Sequence, residues 1–151
     1  MLVEVQALVS GNKSASGRRM AQGFDYNRTS LLIAVTEKRL GFQLASDDVF
    51  INIAGGIDVN EPAADLGVIA AVASSFRNLP VDAETAVFGE VGLTGEIRGV
   101  MQAQARVREA QALGFKRIII PESNKKGLEK LLGVRLIGVS SLEQAIENLF
   151  E

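Results

Sequence analysis

The sequence predicts an α/β (α+β) fold: a single compact domain in which a mixed sheet is packed with helices. Three features point there. Strand-length runs, alternating or wholly apolar, are interspersed with segments of helical period. No linker longer than a loop separates them, and no internal repeat is present. The 151 residues are 47% hydrophobic and 23% charged. A chain of that size buries roughly two-thirds of its unfolded surface and needs no covalent staple.

Val3, Val5, Ala7 and Val9 alternate with Glu4, Gln6 and Leu8, which predicts a strand with a buried face. Residues 11–17 are small and polar and read as a loop. Residues 18–24 resume a short strand, so a hairpin with the first is expected. Asp25 or Asn27 caps a helix running to about Leu40, with Leu31, Ile33, Ala34, Val35 and Leu40 inward and Gly41 as its stop. Val49, Ile51 and Ile53 alternate with Phe50 and Asn52, which suits a central strand buried on both faces.

Gly55-Gly56 breaks that strand, and a second helix opens near Pro62. Leu66, Ile69, Ala70, Ala73 and Phe76 keep helical spacing to Arg77, and this helix is expected to pack on the strand at 49–53. Residues 87–91 read as a strand, and 92–95 as a turn into 96–98. A helix over 102–113 stops at Gly114, and a buried strand over 117–120 stops at Pro121. A short helix over 125–132 and a strand over 134–137 follow. Ser140 and Glu143 form a capping box for a last helix with Leu142, Ala145, Ile146 and Leu149 inward.

Composition narrows the chemistry. The chain has no cysteine, no histidine and no tryptophan. That excludes disulfides, thiol catalysis, cysteine-ligated zinc and the commonest general base. One tyrosine and seven phenylalanines offer few platforms for stacking on bases. No apolar run approaches the ~18 residues of a membrane span and no charged-then-apolar leader opens the chain, so a cytoplasmic protein is expected. The net charge of -2 is unevenly spread. Residues 61–97 carry six carboxylates against Arg77 alone, whereas 98–151 carry nine basic and six acidic residues. Nucleotide motifs are absent: Gly11-Asn12-Lys13-Ser14 lacks the rest of a P-loop, and the glycines at 89, 92 and 95 read as turn residues.

Two segments are more specific. One runs Gly55-Gly56-Ile57-Asp58-Val59-Asn60-Glu61-Pro62-Ala63-Ala64-Asp65-Leu66. The other runs from Gly89-Glu90-Val91-Gly92-Leu93-Thr94-Gly95-Glu96 through Gly114-Phe115-Lys116 to Ile118-Ile119-Ile120-Pro121-Glu122-Ser123-Asn124. Together they resemble the proteolytic domain of the Lon family, in which a serine at a helix start is the nucleophile and a lysine on a later helix is the base. By that resemblance the serine position falls at Ala63 and the lysine position at Gln104, while Asp65 replaces a glycine. A methyl group cannot attack and a carboxamide is no base near neutral pH. The resemblance therefore implies a Lon fold without a catalytic dyad. Ser74 and Ser75 fall inside the predicted second helix, where neither is presented as a nucleophile.

Leu2-Val3-Glu4-Val5-Gln6-Ala7-Leu8-Val9, Arg18-Arg19, Gly23-Phe24-Asp25-Tyr26-Asn27-Arg28, Asp48-Val49-Phe50-Ile51-Asn52-Ile53 and Glu61-Pro62-Ala63-Ala64-Asp65 narrow the match. They resemble the C-terminal domain of the RadA (Sms) family of bacterial DNA-repair proteins, over essentially the whole chain. The family resemblance implies a DNA-dependent ATPase and hexameric helicase that drives branch migration in recombination. In that family a zinc finger and a RecA-like ATPase, with Zn, ATP and Mg as cofactors, precede this domain. Neither is in this sequence, so Met1 is expected to mark a boundary within the family's longer pattern, and no cofactor is expected here. The implied partners are further copies in a hexameric ring, DNA bound without sequence preference, and a recombinase.

Arg18, Arg19, Arg28, Lys38 and Arg39 are the best candidates for DNA, because phosphate contacts need only positive charge. Lys116, Arg117, Lys125, Lys126 and Lys130 form a second basic group. Both sets read equally as solvated surface. Asp25-Tyr26-Asn27-Arg28 caps a helix or sits at a subunit boundary. Asp65 and Glu61 are read as charges favouring a helix N-terminus, and Arg106 and Arg108 as partners of Glu109 or of a neighbouring subunit. A protein-docking module and a residual serine peptidase stand as alternatives to a DNA-binding scaffold.

Overall fold

The computed structural model describes residues 1–11, 16–128, 130–131 and 133–151. Its architecture is mixed α/β. The first sheet holds β1 (Val5–Ser10), β2 (Arg19–Gln22) and β3 (Asp48–Ile53) in the order β1-β3-β2. β1 runs antiparallel and β2 parallel to β3. The expected hairpin is therefore not formed, because the central strand inserts between the first two. Its sequence explains why: Val49, Ile51 and Ile53 are each at most 2% exposed, so β3 needs neighbours on both edges and a layer on its face. Of the polar loop expected over 11–17, residues 12–15, with Lys13, lie outside the described residues.

The β2-to-β3 crossover is α1 (Tyr26–Leu40). The Asp25 carboxylate caps it by accepting from the Arg28 N–H at 2.8 Å, and Gly41 ends it at φ 71°, a left-handed conformation that glycine adopts without strain. The inward set is Thr29, Leu32, Ile33, Val35 and Thr36, so Leu32 replaces Leu31 and Ala34, which face solvent. A one-residue rotation separates the two readings, and the threonines disguise it: Thr29 and Thr36 bury by donating to the Asp25 and Leu32 carbonyls.

A short 3-10 turn, Pro62–Ala64, leads into α2 (Asp65–Arg77). α2 covers the inner face of the first sheet, mainly over β1, where Val5 Cγ2 lies 3.8 Å from a Cβ built on Gly67. The strand expected over 87–91 divides into β4 (Thr85–Val87) and β5 (Glu90–Val91), which pairs with β6 (Ile97–Arg98) across the expected turn. α3 (Ala103–Ala112) then leads to β7 (Arg117–Pro121). Of the helix expected over 125–132, residues 129 and 132 lie outside the described residues, and the helical turn observed is α4 (Glu122–Lys125), directly after Pro121. β8 (Arg135–Val139) and α5 (Leu142–Leu149) finish the chain. β4, β7 and β8 form an all-parallel sheet. The α5 cap lies one residue beyond expectation: Ser141 Oγ accepts from Gln144 N, and Gln144 Oε1 accepts from Ser140 N.

β7 separates two cores. Ile119 joins the main one, with β3, α1, α2 and α5. Ile118 and Ile120 face a smaller one containing Phe88, Val107, Ala110 and Leu128. Successive strand residues point to opposite faces, so an unbroken Ile-Ile-Ile run belongs where both faces are buried. Among the described residues no helix is long and apolar enough to cross a membrane.

Candidate functional site

The segment that the Lon resemblance assigns to the nucleophile is a tight backbone knot. The Ala63 carbonyl accepts from Gly89 N at 2.9 Å, and the Gly89 carbonyl accepts from Leu66 N at 3.1 Å. Gly89 thus bonds on both sides to the turn that opens α2. A Cβ built on it would stand 3.0 Å from Ile97 Cγ2, which is why the position takes glycine. Ala63 is 5% exposed and presents only a methyl group.

Gln104 lies in the first turn of α3 and is exposed. The start of that helix is held by two contacts. Asn124 Oδ1 accepts from Val100 N at 2.8 Å and Asn124 Nδ2 donates to the Val100 carbonyl at 3.1 Å, a two-point clamp that gives the Pro121-x-x-Asn124 spacing its purpose. Arg106 donates to the Met101 carbonyl and to Glu61 Oε2, both at 3.0 Å. Glu61 therefore faces α3 instead of capping a helix, and Arg106 pairs with it instead of with Glu109. The Glu109 carboxylate takes the Met1 ammonium at 2.9 Å.

The strongest polar feature is one that the sequence reading missed. Asp65, the first residue of α2, is fully buried. Its Oδ1 accepts from Arg28 Nε at 2.9 Å, its Oδ2 accepts from Arg28 Nη2, and Oδ2 also accepts from Val91 N at 3.1 Å. One carboxylate thus ties α1, α2 and β5 together through a fork-shaped pair. Hydrogen bonding to Asp65 raises the Arg28 guanidinium above its ordinary pKa, against a smaller desolvation effect. The pair joins three elements and meets no hydroxyl presented at position 63, so it is structural. The signal was present: the Asp-Tyr-Asn-Arg and Glu-Pro-Ala-Ala-Asp segments each end on one of two opposite charges.

The first basic set divides. β2 and β3 run parallel, so α1 returns the chain to the end where both strands start. Arg18 and Arg19 stand at the start of β2 and Lys38 and Arg39 in the last turn of α1, while Arg28 lies in its first turn. Arg19 is spent on the Leu44 and Asp47 carbonyls at 2.8 and 2.5 Å. Arg18 reaches Asp48 at 3.4 Å but stays 72% exposed. Lys38 and Arg39 are exposed and make no side-chain polar contact among the described residues.

The second set divides as well. Lys116 pairs with Glu84 at 3.4 Å, and Arg117 donates to the Asn148 carbonyl. Arg117 also stands in register with Arg135, and the two line a groove of about 630 Å³ with Leu79, Val81 and Phe150. Lys125 sits beside Gly138, three residues further along β8, or about 10 Å. Lys126 and Lys130 are exposed.

At the β5–β6 turn, Glu96 accepts from Thr94 Oγ1 at 2.7 Å and from Arg98 Nη2 at 3.0 Å. The Thr94 hydroxyl, then the Glu96 backbone N–H and Arg98, hold its carboxyl at a pKa of about 2. The Arg39 side chain packs over Gly95 in the same turn.

The family model for the Lon protease (S16) C-terminal proteolytic domain matches residues 30–150, and the chain belongs to that family. Within it, the chain is similar to the DNA repair proteins RadA. Identity is 48% over 148 residues with RadA of Bacillus subtilis (strain 168), covering 98% of this chain and 32% of the relative. It is 49% over 147 residues with RadA of Halalkalibacterium halodurans, covering 97% and 32%. It is 48% over 151 residues with RadA of Pseudomonas aeruginosa, covering 100% and 33%. The chain spans about a third of the length of these curated relatives, and it is a Lon-like domain of the RadA type.

Proposed function

We propose that residues 1–151 form a non-proteolytic Lon-like domain that serves as a scaffold and DNA-binding module in a RadA-type DNA repair protein. In this reading the domain organises a hexameric ring for a DNA-dependent ATPase that promotes branch migration, with ATP, Mg and Zn held by other domains. The observation that carries the loss of peptidase chemistry is the knot at Ala63. The position has no hydroxyl, its backbone is tied to Gly89, and Asp65 two residues on is committed to Arg28. Ser74 and Ser75 offer no substitute: Ser74 Oγ donates to the Leu79 carbonyl and Ser75 Oγ accepts from Val9 N.

The face offered to DNA is the end carrying Arg18, Lys38 and Arg39, with Arg19 supporting it through the Leu44 and Asp47 carbonyls. A single copy of net charge -2 holds a phosphate backbone weakly. Repetition around a ring adds phosphate contacts, each lowering log K by about 0.9 per log unit of salt. Cleavage of a fluorogenic peptide and retention of labelled duplex DNA, measured on one preparation, test the proposal. The expected result is no cleavage, with retention that collapses as salt rises. Cleavage lost on replacing one serine would refute it.

A further inference from the structure

We infer that the groove between the start of the β4-β7-β8 sheet and the end of α5 is a docking site for an extended peptide segment of a partner protein, one that sets an acidic residue beside an apolar one. The groove uses none of Arg18, Lys38 and Arg39, the residues of the proposed DNA contact. The strand registers build its floor. Thr85, Arg117 and Arg135 lie side by side across the three strands, two residues before the apolar row Val87, Ile119 and Ile137. Alternate strand residues share a face, so both guanidiniums fall on the side covered by α5. Arg117 Nη2 donates there to the Asn148 carbonyl, and Arg117 Nη1 stands 3.5 Å from Thr85 Oγ1. The opposite wall is apolar, made by Leu79, which is 44% exposed, with Val81 and Phe150. Arg77 lies over the Phe150 ring at 6.0 Å and over Phe42 at 4.9 Å, which holds that wall in place.

The charges select the occupant. Arg117 and Arg135 are neighbours across one strand spacing, about 4.8 Å, and like charges so placed destabilise a sheet. Arg117 is bonded only to neutral oxygens, and Arg135 is exposed and makes no side-chain hydrogen bond or ion pair among the described residues. A carboxylate set between them turns the repulsion into charge-assisted hydrogen bonds, the way arginine clusters hold acidic motifs. Asp82 and Glu151 also line the groove, and neither is paired with an arginine among the described residues. Those two carboxylates repel a phosphate backbone but accept from the N–H groups of a peptide. The volume of about 630 Å³ suits a ligand. Asp82, Leu79 and Arg135 remain exposed around it, whereas a small-molecule site encloses most of its ligand. A chain segment lying along the groove, its apolar side chain against Phe150 and its carboxylate on Arg135, satisfies all of these features. One or two anchoring side chains make a weak contact that exchanges quickly.

The probe is a fluorescein-labelled octapeptide of alternating leucine and glutamate, beside a second in which lysine replaces glutamate. Fluorescence polarisation is expected to rise with the first and not with the second. Arg135→Glu should weaken binding by at least about tenfold and Leu79→Ser by about threefold. Arg108→Glu removes an exposed cation on α3 and should change it by less than about twofold. Positions 79 and 135 are both exposed, and circular dichroism should show each variant folded. Heteronuclear NMR should show the peptide moving the Arg135 side-chain signal and the Val81 and Phe150 amides. Equal binding of the lysine peptide, an equal loss in Arg108→Glu, or shifts that avoid the groove overturns the inference. Failure of the acidic peptide to bind at millimolar concentration does so as well. Displacement of the peptide by duplex DNA that moves the same signals would overturn it by assigning the groove to nucleic acid. Movement of those signals with protein concentration alone, stopped by Arg135→Glu, would overturn it by assigning the groove to a second copy.

Discussion

Replacing Arg28 by alanine leaves the Asp65 carboxylate fully buried, with the Val91 N–H as its one remaining partner among the bonds described. Breaking a buried pair by removing one member costs roughly 3–5 kcal/mol, because the stranded charge keeps its desolvation penalty. A domain of this size has about 5–15 kcal/mol in total. With roughly 2–4 °C lost per kcal/mol, the melting temperature should fall by about 6–20 °C. Urea denaturation followed by far-UV circular dichroism measures the loss. The double variant Arg28→Met, Asp65→Leu removes both charges and keeps apolar volume, so its cost should be less than the sum of the two single changes. A loss below about 1 kcal/mol for Arg28→Ala, with single effects that simply add, would mean that the pair behaves like an exposed one and that the knot is held by something else.

Three further outcomes follow from the same geometry. Gly23→Ala should cost about 3 kcal/mol or more in denaturant, since φ is +84° and the new Cβ would meet the Ile57 carbonyl at 2.6 Å and Ile53 Cβ at 2.8 Å. The Glu96 carboxyl should titrate at about 2 by NMR and move up toward its ordinary 4.5 in Thr94→Ala, whose hydroxyl is the main cause of the shift. Because the folded value is depressed, the stabilisation from Glu96 is complete above the ordinary carboxylate range and is lost as pH falls toward 2. Ala63→Ser combined with Gln104→Lys should remain inert toward fluorogenic peptides, since position 63 is buried with its carbonyl tied to Gly89 N, Asp65 is committed to Arg28, and position 104 lies exposed on α3; measurable turnover would contradict this.

Much of the fold was legible because its strongest signals are local. The Asp25 cap, the Gly41 stop and the Ile118-Ile119-Ile120 run each encode their structure within a few residues. Pairing was not legible, because nothing in residues 5–22 says that β3 will insert between β1 and β2. The register of α1 was misread because Thr29 and Thr36 bury through backbone bonds that a count of apolar residues ignores. At the site, the Ala63 and Gln104 positions came from family resemblance, and the structure adds the reasons for Gly89 and Asn124. The Arg28–Asp65 pair spans 37 residues, so single-sequence periodicity could not reveal it. Treating Arg28 as a phosphate ligand counted its charge without asking where an opposite charge would be buried.

The most direct test of the central claim is the sedimenting mass of the domain at low salt, with and without labelled duplex DNA, for the natural chain and for Arg18→Ala, Lys38→Ala, Arg39→Ala combined. The account predicts a ring of six copies at high concentration that carries DNA with it. It also predicts a triple variant that keeps the ring but releases DNA at lower salt. A monomer at every concentration that leaves the DNA boundary unmoved, or DNA binding untouched in the triple variant and abolished by replacing Lys125, Lys126 and Lys130, would contradict it.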